Sequence, residues 1–142
     1  MLEDFHNEPF TDFSQAEARS AFEAALARVE RQRGVEIPLV IGGRRLRTGH
    51  LLENRNPADR AEVLSRHHLA DRNTAAKALE VAVKAQKTWG VVAPRERASV
   101  LLRAAARMRE RKHEFSATMV LEIGKSWPEA DVETAEAIDF LE

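Results

Sequence analysis

Apolar residues recur at helical spacing over four stretches of this chain, with a block of β-type residues between the first and second. Ala18, Phe22, Leu26 and Val29 lie on one stripe, while Glu23, Arg28, Glu30 and Arg31 fall on a solvated side. Ser14 followed three residues later by Glu17 reads as a capping box. This predicts a first helix over residues 14–33, closed near Gly34. Residues 1–13, with Pro9 and scattered Phe, read as loop. Val35 to Ile41 is rich in β-formers, and Pro38 marks it as an edge strand. Gly42-Gly43 permits the positive φ of a tight hairpin, with Arg44 to Arg47 returning. Leu51 to Asn54 and Glu62 to Leu69 complete a predicted antiparallel meander over residues 35–69, with a turn at Asn56-Pro57-Ala58-Asp59.

Helices follow over residues 73–142. Asp71 or Asn73 caps the first of them, whose stripe is Ala75, Leu79, Ala82, Val83, Gln86 and Trp89, with Gly90 at its end. Pro94 suits the first position of the next, carrying Ala98, Leu101, Leu102, Ala105 and Met108. The pattern continues through Phe115, Met119 and Ile123, with a break near Lys112-His113. Gly124 then stops the chain, and Ser126 with Glu129 forms another capping box, Pro128 sitting in its first turn. Two helices therefore meet at a tight corner, and the second runs over 127–142. Strands come first and helices after, which is not the alternation of a complete parallel α/β sheet. The fold class is α+β and mostly helical.

The Gly124-Lys125-Ser126 run requires a test against the phosphate-binding loop. That loop needs a glycine where Met119 stands, and a strand before it. The corner reading is preferred. The 142 residues match one ordinary domain, and the net charge of −1 exerts no bulk pull on nucleic acid or membrane. No apolar run is long enough to span a bilayer, and the acidic Met1-Leu2-Glu3-Asp4 start is no secretory signal. The expected location is the cytoplasm. Cysteine is absent, which removes disulfides, thiolate metal sites and thiol nucleophiles.

The last helix carries the best candidate site. Ala130, Val132, Ala135, Ala137, Ile138, Phe140 and Leu141 ring it almost completely, the pattern of a buried helix. Glu136 has Val132 and Phe140 as its i−4 and i+4 neighbours. If buried there, its carboxylate must be paired or be pushed up in pKa. The alternative is a wet side formed by Glu129, Glu133 and Glu136. A buried helix stopping at Glu142 without a cap also suggests missing partner surface. Other constellations are weaker. His67 and His68 point to opposite faces of a strand and cannot share a metal. His113-Glu114 lacks the second histidine of a zinc helix. The arginines of 103–112 interleave with Glu110, so helix-face ion pairs account for them. Trp89 and Trp127 suit packing. No nucleophile elbow and no Gly-x-Gly-x-x-Gly after a strand is present.

Several of these strings resemble one family. Pro38-Leu39-Val40-Ile41-Gly42-Gly43, Asn56-Pro57-Ala58, Lys87-Thr88-Trp89, Leu101-Leu102-Arg103-Ala104-Ala105-Ala106 and Glu122-Ile123-Gly124-Lys125 are similar to the amino-terminal region of aldehyde dehydrogenases. Asn7-Glu8-Pro9, the long first helix and Ala135-Glu136-Ala137-Ile138-Asp139-Phe140 resemble the 1-pyrroline-5-carboxylate (L-glutamate γ-semialdehyde) dehydrogenase branch. The resemblance implies an α+β fragment of an α/β, aldehyde dehydrogenase-like fold, spanning about the first quarter of such an enzyme. It implies NAD-dependent oxidation of the semialdehyde to glutamate in proline breakdown, through a cysteine thiolate and a glutamate that activates water. Both of those residues, and the NAD-binding core, would lie outside these 142 residues, so the isolated chain is expected to be inactive. Within the chain the resemblance places Glu136 by the substrate pocket and the backbone of Glu122 at a monovalent-cation site. The implied partner is the remainder of the dehydrogenase or another protein, with homo-oligomeric assembly of the intact enzyme. A rival expectation is a stand-alone helical interaction module derived from such an enzyme.

Overall fold

The computed structural model describes residues 5–142; the acidic start discussed above lies outside them. Helix α1 spans Ala16–Glu30. Strands follow as β1 (Val35–Ile37), β2 (Leu39–Ile41), β3 (Arg44–Leu46), β4 (Leu51–Arg55) and β5 (Val63–His68). Four helices complete the chain: α2 (Arg72–Trp89), α3 (Pro94–Glu110), α4 (Lys112–Ile123) and α5 (Trp127–Asp139).

The strands differ from the predicted meander. Pro38 divides one expected strand into β1 and β2. The β2–β3 hairpin turns at Gly42-Gly43, both with positive φ (59° and 75°), and pairs Leu39 with Leu46 in a sheet of its own. β1 instead joins β5 in parallel, Val35 opposite Ser65 and Ile37 opposite His67. β4 covers the other edge of β5 antiparallel, Leu51 opposite His68 and Asn54 opposite Ser65. The result is a three-stranded sheet in the order β1-β5-β4. A parallel partner must be reached by a crossover, here the whole β2–β4 segment, so nothing local in β1 announces it.

The core lies between α1, α4 and the start of α5. Phe22 is fully buried with Ala25 and Ala117, and Val29, Val120 and Trp127 pack around them. The Phe22 ring meets Phe13 edge-on at 5.2 Å, Trp127 at 4.7 Å and His113 at 5.7 Å. The predicted α1 stripe is therefore correct, but its cap is not. The position before helix α1 is Gln15 rather than Ser14, and no side chain caps it. Asp12 binds the Ser14 N–H at 2.9 Å instead, and the Arg19 guanidinium covers the Phe13 and Ser14 carbonyls.

The break between α3 and α4 falls at Arg111, beside the predicted position. The buried face of α4 is Ser116 and Ala117 rather than the Phe115–Ile123 stripe, since Ile123 is 57% exposed. Helix α2 is capped as expected by Asp71, whose carboxylate accepts the Thr74 N–H at 2.7 Å. Its predicted core stripe, however, is exposed for most of its length, and none of its residues is buried.

Candidate functional site

The α4–α5 corner forms as the sequence predicts. Gly124 adopts the left-handed conformation at φ 70°, which a side chain would strain. The Ser126 N–H and hydroxyl both donate to the Glu129 carboxylate, at 3.0 and 2.7 Å. These bonds hold the Glu129 carboxyl below its ordinary pKa. Lys125 pairs with Glu133 across the corner. Lys125, Pro128, Glu129, Val132, Glu133 and Glu136 border an open groove of about 470 Å³.

Glu136 stands on the rim of this groove and is exposed. Of the two readings of this helix, buried all round or half-exposed, the structure shows the half-exposed one. The buried face of α5 is Ala130, Asp131, Thr134, Ala135 and Ile138, while Val132 is 40% and Phe140 81% exposed. Glu129, Glu133 and Glu136 form the wet side. Glu122 is half-buried one helix earlier, in a separate cleft of about 130 Å³ with Val35, Leu64 and Thr118. The two candidate residues thus lie in different recesses joined by one corner. Among the described residues no cluster of three His, Cys, Asp or Glu is placed to hold a metal ion. His68 turns its Nδ1 to the Thr48 backbone at 2.9 Å and His67 turns its Nε2 to Ser65, so the two diverge as expected. Arg107 and Arg111 pair with Glu110 and Glu114 at i,i+3, as read from their spacing.

Sequence reasoning missed a polar layer beneath α5. Asp131 is 1% exposed. It accepts the Thr11 N–H at 2.7 Å, the Thr11 hydroxyl at 2.6 Å and the Lys112 ammonium at 3.2 Å. Thr134 meets Ser116 at 2.8 Å across the α4 interface. At the far end, Asp139 accepts from the Asn7 amide at 2.8 Å and the Glu8 N–H at 2.7 Å. These donors lower the Asp139 pKa. The available signal was positional: Asp131 shares the i, i+3, i+4, i+7 face with Thr134, Ala135 and Ile138.

Among the described residues one strand leads directly into a helix, the type of connection that seats the pyrophosphate of a dinucleotide. A pyrophosphate is held by a helix N-terminus after a glycine-rich turn. Here the strand-to-helix connection β5–α2 carries Leu69-Ala70-Asp71, and the Asp71 carboxylate already occupies the N-terminus of α2. Its negative charge would repel a phosphate.

The sequence and the fold both match those of known proteins. The 1-pyrroline-5-carboxylate dehydrogenase of Geobacillus sp. (strain WCH70) is 49% identical over all 142 residues, which cover 28% of its length. A second relative of that name, from Halalkalibacterium halodurans, is 52% identical with the same coverage. The structure of a mutant form of the Thermus thermophilus 1-pyrroline-5-carboxylate dehydrogenase superposes with a TM-score of 0.97 at 44% identity, covering 99% of this chain and 27% of that one. A Thermus structure of an enzyme of that name with bound NAD gives 0.96 with equal identity and coverage. The chain thus spans little more than a quarter of the relatives it matches. Residues 45–142 match the Aldehyde dehydrogenase family directly. On fold and sequence together, the chain belongs to the aldehyde dehydrogenase family.

Proposed function

We propose that this chain is the amino-terminal part of an NAD-dependent oxidoreductase of the cytoplasm that oxidises L-glutamate γ-semialdehyde, the open form of 1-pyrroline-5-carboxylate, to glutamate in proline degradation. The observation that carries the reading is identity near one residue in two with enzymes of that name, sustained over the whole chain. These residues carry no cysteine, so the thiol comes from elsewhere in the enzyme, and Asp71 rather than a glycine-rich turn stands at the N-terminus of α2. Their part is positional. Glu136, on the groove rim with Glu129 and Glu133, would lie beside the substrate pocket, where carboxylates suit the α-ammonium group of the semialdehyde. The carbonyls ending α4 around Glu122 lack a following helical turn and carry the negative end of its dipole, which suits a monovalent cation.

The exposed stripe of α2 supports the same reading. Leu79 and Val83 are spaced for a core and lie bare, so the remaining dehydrogenase chain is the natural cover. The test is a chimaera in which these 142 residues replace the matching segment of the Geobacillus enzyme. It should reduce NAD⁺ with pyrroline-carboxylate at a rate near the parent's, while the isolated chain should form no NADH. A folded chimaera that ignores pyrroline-carboxylate and oxidises another aldehyde would refute the substrate assignment.

A further inference from the structure

The segment of residues 7–11 runs extended along α5 and is bonded to it at two points. Asp131 takes the Thr11 N–H and hydroxyl at one end. Asp139 takes the Asn7 amide and the Glu8 N–H at the other. Eight helical residues rise about 12 Å, and three to four extended residues reach about 10–13 Å. Segment and helix are therefore matched in length, running antiparallel, with every carboxylate oxygen of the two aspartates engaged. The segment is also tied from the α3–α4 junction. Lys112 donates to the Pro9 carbonyl at 2.6 Å. Arg109 bridges Glu8 at 2.5 Å and Glu142 at 2.8 Å.

The apolar residues that α5 buries are Ala130, Ala135 and Ile138, with Trp127 at its start packed on Phe13 and Phe22. Directional polar bonds to the Asp131 and Asp139 carboxylates add a fixed register to that packing. Glu136 projects from the outer side of the two helical turns that Asp131 and Asp139 bracket. A slide or roll of α5 would break one end of the bonded segment and displace Glu136 at the same time.

We propose that residues 7–11 form a strap that sets the position of α5, and that Thr11, Asp131 and Asp139 are positioning residues for Glu136. The assignment rests on the reading of Glu136 as a substrate-side carboxylate. It is tested in the full-length dehydrogenase carrying these residues, with Thr11→Val, Thr11→Ser, Asp139→Ala and, separately, Glu136→Gln. Thr11→Val and Asp139→Ala should raise the KM for pyrroline-carboxylate about tenfold, the worth of one charge-assisted hydrogen bond. The KM for NAD⁺ should stay within about twofold, and Thr11→Ser should restore the parent value by keeping the hydroxyl. Loss confined to kcat and melting temperature, with KM unchanged, would reduce the strap to a stability element. An effect of Glu136→Gln on KM without any from Thr11→Val or Asp139→Ala sinks the strap alone. No effect of Glu136→Gln on KM overturns the reading of Glu136 and the positioning role with it.

Discussion

Helices α1 and α2 are built from similar stripes and meet opposite fates. Ala18, Phe22, Leu26 and Val29 on α1 find α4 and Trp127, and Phe22 is 0% exposed. Ala75, Leu79, Ala82 and Val83 on α2 find almost nothing, and Leu79 is 66% exposed. The β2–β3 hairpin approaches α2 at its turn, where Gly42 faces Val81. An amphipathic pattern reports that a face must be covered; it does not say by which part of the molecule. In the α1–α4–α5 cluster the cover lies within these residues. On α2 it does not.

The largest expected effect breaks the packed region. Phe22→Ala should cost about 4 kcal/mol in denaturant unfolding, through lost transfer energy and the cavity among Phe13, His113 and Trp127. Leu79→Ala should cost no more than about 0.5 kcal/mol in the isolated chain. Equal costs would mean that α2 is packed after all, and the contrast would vanish. A smaller effect is expected at the corner. Gly124→Ala places a side chain in the left-handed region and within 3.4 Å of the Pro57 ring. It should cost about 1–2 kcal/mol and leave Leu79→Ala unaffected.

The smallest effect is pH-dependent and again separates the regions. Burial beside Phe22 lowers the His113 pKa from its ordinary 6.5. The folded state then binds fewer protons than the unfolded one, so stability is full above 6.5 and falls as pH drops toward the lowered value. His113→Phe should flatten the melting temperature across that window. Asp139 behaves in the carboxylate sense: lowered by its Asn7 and Glu8 donors, its contribution persists above 3.8 and disappears only in stronger acid. The α2 stripe contains no buried imidazole, so its exchange with solvent should not follow the His113 window; only the Asp71 cap, held low by its bonds to Thr74, links α2 to the acid range below 3.8.

Much of this was written in short-range pattern. The hairpin at Gly42-Gly43, the cap at Asp71, the break near Lys112 and the Gly124–Ser126 corner each depend on a few neighbouring residues, and each formed where the sequence placed it. The supposed cap at Ser14 failed because Asp12, two residues upstream, took the Ser14 N–H first. Of the two readings of Glu136, buried or on a wet side, the structure shows the wet one, because ringed apolar residues on α5 do not all find partners; Val132 and Phe140 stay in water.

What the residues determined alone were the helix periods, the turns and the family to which they belong. These follow from backbone preferences and local hydrogen bonds. Which edge of β5 received β1, which face of α5 was buried, and the pairing of residues 7–11 with Asp131 and Asp139 were decided only in three dimensions. Those contacts join positions up to 132 apart in the chain. No local propensity encodes such a distance; only the closure of the fold brings the partners within reach of one another.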